Sequence, residues 1–402
     1  MLSTGAWDVT PAPEPAHWEH DLVLVVPPDA QRERALLWID GGTNGSAREA
    51  RPRGLALSLA QRTGLVVARL AQVPNQPTDF GDGVRRYEDD LLAYSWARYL
   101  ETGDERWPAQ VPMTRAAVGA MDAIQDFFRE RSDTQVHPER FLVTGASKRG
   151  WTTWLAAAVD DRVEAIAPMV IDVLNVDASM RHHHAAYGEW SPAIGDYLHH
   201  GIMDWLGEPE LDALFELVDP FSHRAQLELP KYLLLASGDS FFLPDSARFY
   251  VDQLEGETLL RTFPNAEHDL GGSSLLDDLS AWVASVAGEE ARPELSWTEL
   301  EDGALRIACS QAPDRVRRWS AQNPVARDFR LPVIGDTWQA EELSGRARSW
   351  VEAAPEAPAR GFRASFLELS WERTDGTPLV ATTPVRVAPD VLPHLGALER
   401  QE

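Results

Sequence analysis

Three side chains in this sequence have the types and the chain order that acyl-transfer chemistry needs: Ser147, Asp239 and His268. A serine hydroxyl attacks a carbonyl only when a nearby base takes its proton. An imidazole is that base when a carboxylate orients it and stabilises the cation it becomes. Ser147 stands in RFLVTGASKRGWTTWLAAAV, where an apolar run gives way to an amphipathic one, with Gly145 and Gly150 on either side. Small residues at a sharp strand-to-helix turn hold a nucleophile exposed. The spacing here is G-x-S-x-x-G rather than G-x-S-x-G, and the competing reading is a serine that caps the following helix. Asp239 follows the apolar run of YLLLASGDSFFLPDS, and His268 follows the next one, in TLLRTFPNAEHDLGG. Two other carboxylates compete for the orienting role: Asp245, a little further along the same loop, and Asp172, in VIDVLN.

A tetrahedral intermediate also needs preorganised N–H donors. The backbone of Lys148, directly after the serine, supplies one, and Gly41 and Gly42 in ALLWIDGGTNGSA allow backbone to approach a substrate. Arg149 either adds positive charge near the oxyanion or lies on the helix surface. Glu88, Asp89 and Asp90 in RRYEDDLLAYSW are either first-turn acids that complement a helix dipole or receivers of a substrate ammonium or guanidinium. Between two strand-like runs lies NVDASMRHHHAAYGEWSPAIGDYLHHGIMDWL, read as a lid over about 172–229 in which Tyr187 and Trp190 offer stacking surfaces to a substrate. Its histidines, His182, His183, His184, His199 and His200, do not read as a metal site. Adjacent side chains on a helix point apart, and no H-E-x-x-H accompanies them. No metal and no cofactor is expected.

The elements that must position these residues are short apolar runs alternating with longer helical patterns: LVLVV (22–26), ALLWID (35–40), LVVARL (65–70), FLVTG (141–145), AIAPMVI (165–171), YLLLAS (232–237) and TLLRTF (258–263). Such alternation predicts a doubly wound, mostly parallel sheet. TRAAVGAMDAIQDFFRER predicts a helix with Val118, Met121, Ile124 and Phe128 inward and Thr114 as its cap. Beyond Gly288 and Pro293 the texture changes to alternating segments such as ALRIACS, RVRRWSAQ, FRASFLELSWE and PVRVAPD, which predict a small all-β sandwich. The expected division is a catalytic domain over 1–290, lid included, and the sandwich over 291–402.

Composition narrows the partners. The 402 residues, 44% hydrophobic and 25% charged, carry 37 Lys and Arg against 63 Asp and Glu, a net charge of -26. That composition predicts a soluble globular chain. The charge disfavours nucleic acid and anionic lipid and favours cationic ligands. A small ester or a peptide, the latter cationic, is the expected substrate, with no membrane insertion. The single cysteine, Cys309, excludes an intrachain disulfide. No charged start followed by an apolar run marks an export signal, so the expectation is a cytoplasmic protein, or a periplasmic or secreted one whose signal has been removed.

Several long segments carry a resemblance. PMTRAAVGAMDAIQDFF, FLVTGASKRGWTTWLAAAVDDRVEAIAPMVIDVLN, PKYLLLASGDSFFLPDSARFY and LRTFPNAEHDL, with GGTNG and ARDFR, resemble the PhoPQ-activated pathogenicity-related proteins. The resemblance implies an α/β-hydrolase-like fold, in which the acid and the histidine follow the serine, and an association with resistance to cationic antimicrobial peptides. The turn G-x-S-x-x-G followed by basic residues is also similar to that of glucuronoyl esterases.

Overall fold

Apolar runs of five to seven residues, with at most one charge each, are too short for core helices and suit strands of a covered sheet. The computed structural model, which describes residues 1–46, 54–344 and 347–396, turns each predicted run into a strand. The chain forms two units, Met1–Ile171 with Ile194–Pro230, and Asp172–Ala193 with Lys231–Glu402.

In the first unit β1 (Leu2–Ala6) and β2 (His17–His20) make an antiparallel hairpin. A sheet follows, built of β3 (Leu22–Val25), β4 (Arg34–Ile39), β5 (Val66–Leu70), β6 (Arg140–Ala146) and β7 (Val163–Met169), in the order β7-β6-β4-β5-β3. Only β3 runs antiparallel to its neighbour. Its helices include α1 (Gly54–Thr63), α2 (Glu88–Thr102), α3 (Gln110–Arg129) and α4 (Lys148–Val159), with further helical segments at Gly195–His199 and Pro209–Val218. Met121, Ile124 and Phe128 of α3 are buried as the periodicity predicts, and Val118 is half-buried. Thr114 is not the cap: α3 starts a turn earlier, after Pro108 and Ala109, and leaves Thr114 inside the helix with its hydroxyl unpartnered. A proline just ahead of a helix suits the first turn, whose N–H groups need no helical acceptor.

The second unit holds α5 (Val176–Tyr187) and the parallel pair β8 (Lys231–Ala236) and β9 (Thr258–Phe263), in register from Lys231 opposite Thr258 to Ala236 opposite Phe263. Equal strand ends bring the loops that follow them side by side. The remaining strands are β10 (Leu295–Glu299), β11 (Leu305–Cys309), β12 (Arg315–Asn323), β13 (Gln339–Glu342), β14 (Ser349–Glu352), β15 (Phe362–Glu372), β16 (Pro378–Thr382) and β17 (Arg386–Ala388). They make antiparallel sheets, as the alternating pattern predicts. One is β10-β11-β14; the other, β13-β12-β15-β16, continues into β9 through Thr382 opposite Leu260. The architecture is α/β-hydrolase-like, with mostly parallel strands and helices followed by antiparallel sheet. Among the described residues no helix is long and apolar enough to cross a membrane.

Buried ions fasten β9 to the C-terminal strands. Arg261 on β9 reaches Asp278, on the helix Leu275–Ala287, at 2.7 Å and Glu368 on β15 at 3.2 Å, and Arg317 of β12 also meets Glu368. Removing one member strands charges away from water. Arg261→Met is therefore expected to lower the unfolding free energy by about 3 kcal/mol or more, read from urea denaturation. A loss below about 1 kcal/mol, the range of an exposed pair, would contradict this account.

Candidate active site

β6 ends at Ala146 and α4 begins at Lys148, so Ser147 alone makes the turn. Its φ of 57° and ψ of -128° lie outside the regions where a residue with a Cβ sits comfortably, a strain of about 1–3 kcal/mol that the surroundings must hold. The Ser147 N–H donates to the Met169 carbonyl at 2.8 Å, and its carbonyl accepts from the Trp151 N–H at 2.9 Å. The side chain makes no capping hydrogen bond, so this serine does not cap the helix as the competing reading had it. The two glycines are packing requirements. A Cβ on Gly145 would sit 2.6 Å from the Arg149 carbonyl oxygen, and one on Gly150 would sit 2.9 Å from that of Gly145. The first turn of α4 presses on the strand end at both glycines. The N–H of Lys148 belongs to this first turn, where no helical acceptor exists.

The acids of α2 meet internal cations. Arg149 grips Glu88 with both terminal nitrogens, each at 2.7 Å. Lys148, buried, places its ammonium 2.9 Å from Glu88 and 3.1 Å from Asp89. Asp89 also accepts from the Tyr197 hydroxyl at 3.3 Å, and Asp90 pairs with His200 at 2.7 Å. Partial burial opposes the charge of Glu88, but Arg149 and Lys148 outweigh it and hold the carboxyl down at about 2. Glu88 and Asp89, read either as first-turn acids or as receivers of a substrate cation, are engaged by the two basic residues that follow Ser147. Arg149 in turn lies against the glycine loop. A Cβ on Gly41 would come within 2.7 Å of its guanidinium, so a side chain there would have to displace the end of Arg149. The Gly41 N–H donates to Asp40 at 2.8 Å, which ties up one of the two expected oxyanion donors; Gly42 has a φ of 139°.

In the second unit the loops after β8 and β9 bring Asp239 and His268 together. The imidazole Nδ1 lies 2.9 Å from one carboxylate oxygen of Asp239 and 3.1 Å from the other. Asp239 is buried, and burial pushes its carboxyl up from the usual range against the pull of His268. An ionised carboxylate only accepts, so this contact calls for the proton on Nδ1, and in a neutral imidazole of that tautomer Nε2 is the acceptor. The Phe241 ring, 4.4 Å from the imidazole, shields one face. The Phe241 N–H donates to Asp239 at 2.7 Å and closes a tight turn.

The rival acids have other partners. Asp245 is held by Arg327 at 2.7 Å and by His182 at 3.2 Å; burial works against its charge, yet these neighbours pull its carboxyl far below the usual range. Asp172 accepts from the Tyr250 hydroxyl at 2.7 Å, and its burial, only partly opposed by that bond, pushes it up to about 8. On α5, His182, His183 and His184 are all buried and go different ways: His182 to Asp245, His183 accepting from the Ser191 N–H at 3.0 Å, and His184 beside the Trp190 ring at 4.9 Å. Among the described residues no group of three His, Cys, Asp or Glu is arranged to hold a metal. Tyr187, half-buried, lies under the Arg330 guanidinium at 4.4 Å. Glu267, Ser191, Arg327 and Arg330 had no signal in the sequence beyond the place of Glu267 next to His268 and of both arginines within ARDFR.

Comparison with known proteins adds relatives. The profile described as PhoPQ-activated pathogenicity-related protein matches residues 1–330. The autocrine proliferation repressor protein A of Dictyostelium discoideum is 35% identical over 406 residues, which cover 94% of this chain and 82% of that protein. Among solved structures, the chain is similar to acetyl xylan esterase 1 from Thermoanaerobacterium sp., with a TM-score of 0.45 and 14% identity over 67% of this chain and 79% of the other. It is also similar to ferulic acid-bound Est1E from Butyrivibrio proteoclasticus, with a TM-score of 0.40 and 13% identity over 67% and 95%.

Asp172 sets a pH signature. Its folded carboxyl titrates near 8 against an ordinary 3.8, so the folded state binds the proton more tightly than the unfolded one. The stability this group contributes is whole below the ordinary value and is lost as pH rises through the folded one. Asp172→Asn keeps an acceptor for Tyr250 and carries no charge. Between about pH 5 and about pH 9, wild type should therefore lose stability relative to this variant in urea titrations; a difference that stays flat would contradict the displaced carboxyl.

Proposed function

The chain belongs to the PhoPQ-activated pathogenicity-related protein family, and we propose that it acts as a serine hydrolase in which Ser147 attacks an ester or amide carbonyl, His268 carries the proton and Asp239 orients His268. The observation that supports this reading most is the hydrogen bond from His268 Nδ1 to the buried Asp239, which leaves Nε2 as the base. The strained turn at Ser147 supports it from the other side, because strain at a serine between strand and helix is what an exposed nucleophile requires.

In the proposed cycle Nε2 takes the hydroxyl proton as the Ser147 oxygen bonds to the carbonyl carbon. The imidazolium, steadied by Asp239, returns that proton to the departing alcohol or amine, leaving an acyl-serine. Water then repeats the sequence: it gives its proton to Nε2, attacks the acyl carbon, and releases the acid as Ser147 regains a proton. Lys148 N–H, with Gly42 from the glycine loop, is the proposed donor pair for the oxyanion. Its side chain and Arg149, paired with Glu88 and Asp89, act in this proposal as fixed walls of the turn.

A fluorophosphonate probe tests the nucleophile. Wild-type protein should label at Ser147, and Ser147→Ala and His268→Ala should not. Asp239→Asn should keep the fold and lower turnover of a p-nitrophenyl ester about 10⁴-fold. Wild-type protein that binds a lysine-rich peptide stoichiometrically but never labels would replace this reading with peptide sequestration.

A further inference from the structure

Every polar group of Ser240, the residue between Asp239 and Phe241, is held from outside its own turn. Its N–H donates to Glu267 Oε1 at 2.9 Å, and its hydroxyl donates to Glu267 Oε2 at 3.2 Å. Its carbonyl accepts from the Ser191 hydroxyl at 2.7 Å. Ser191 is itself anchored: it is buried, its N–H donates to His183 Nε2 at 3.0 Å, and its oxygen accepts from Arg330 at 3.2 Å.

This clamp acts on the dyad through geometry. The Asp239 carboxylate is oriented by the Phe241 N–H, and Ser240 forms the two peptide units between them. If Ser240 turns, the carboxylate turns with it, and the two contacts to Nδ1 change. Glu267 is also the residue directly before His268, so one side chain ties the loop that carries the acid to the loop that carries the imidazole. A carboxylate accepts from the N–H and the hydroxyl of Ser240 through its two oxygens; an amide at this position keeps one oxygen as acceptor and puts an NH2 donor opposite the hydroxyl.

We infer that Glu267 and Ser191 are positioning residues for the Asp239–His268 pair, acting through Ser240. The inference rests on the dyad's role in the proposed hydrolase. Residues held by packing and hydrogen bonds around a catalytic group fix it within a few tenths of an ångström, and loss of that support lowers turnover without touching substrate binding.

The test uses full-length Glu267→Ala, Glu267→Gln and Ser191→Ala, assayed with p-nitrophenyl acetate. Proton NMR of the downfield Nδ1–H of His268 and thermal unfolding accompany the assay. Glu267→Ala and Ser191→Ala should lower kcat about 10- to 100-fold with KM unchanged, and the Nδ1–H signal should shift or broaden. Glu267→Gln, which keeps one acceptor, should fall between wild type and alanine. It also removes a negative charge from beside the imidazole, so the acid limb of its kcat/KM profile should move to lower pH. Variants that melt lower but keep both kcat and the wild-type Nδ1–H signal would overturn the inference, since a purely structural role predicts that result. If wild type has no turnover, the hydrolase reading fails by itself and the NMR signal still decides the clamp: a shifted signal in Glu267→Ala and Ser191→Ala supports it, and an unshifted one overturns it.

Discussion

A carboxylate buried as completely as that of Asp239 is tolerated only where oriented donors replace the water it has lost, since an uncompensated buried charge costs several kcal/mol. Much of the second unit is arranged to supply them. The imidazole of His268 and the Phe241 N–H provide two, and each is delivered by a loop that other groups hold still. The in-register pairing of β8 with β9 sets the starting positions of those loops. Asn265 then bonds Trp338 through both its side-chain groups, and the Leu331 N–H donates to the Gly238 carbonyl at 2.8 Å. The segment between β12 and β13 is therefore part of the support of the acid loop.

The first unit meets a similar constraint with ions rather than a dyad. Lys148 is a buried cation next to a residue in a strained conformation, and such a charge needs partners. Glu88 supplies them to Lys148 and Arg149 together. The backbone at Glu88, with a φ of 47°, is fixed by its N–H bond to Gln76 at 2.7 Å. This explains how so acidic a chain places two basic residues directly after Ser147 without leaving them exposed. The net charge of -26 is a property of the whole surface, and the acids closest to the turn are neutralised locally.

The three candidate acids show where reading the sequence stops. Asp239, Asp245 and Asp172 each follow an apolar run, so periodicity treats them alike. Their separate fates come from partners distant in the chain. Arg327, fully buried, takes Asp245; Tyr250 takes Asp172; His268 takes Asp239. The start of α3 lies ahead of Thr114 for a related reason. A threonine before an apolar-periodic run is a fair local signal, but Pro108 and the packing of Trp107 extend the helix one turn further back.

The sequence by itself determined the strands, since short apolar runs and alternating segments are too short or wrongly spaced for core helices: TLLRTF and the alternating FRASFLELSWE match β9 and β15 end to end. It also determined the order of serine, acid and histidine, and the two glycines around Ser147 that only a close strand-to-helix contact requires. Tertiary structure decided which acid meets the histidine, which cations Glu88 and Asp89 pair with, and that β16 joins β9. Those outcomes depend on burial and on ion pairs between residues tens to more than a hundred positions apart. A charge's cheapest partner is set by what surrounds it in space, and local pattern carries no record of that.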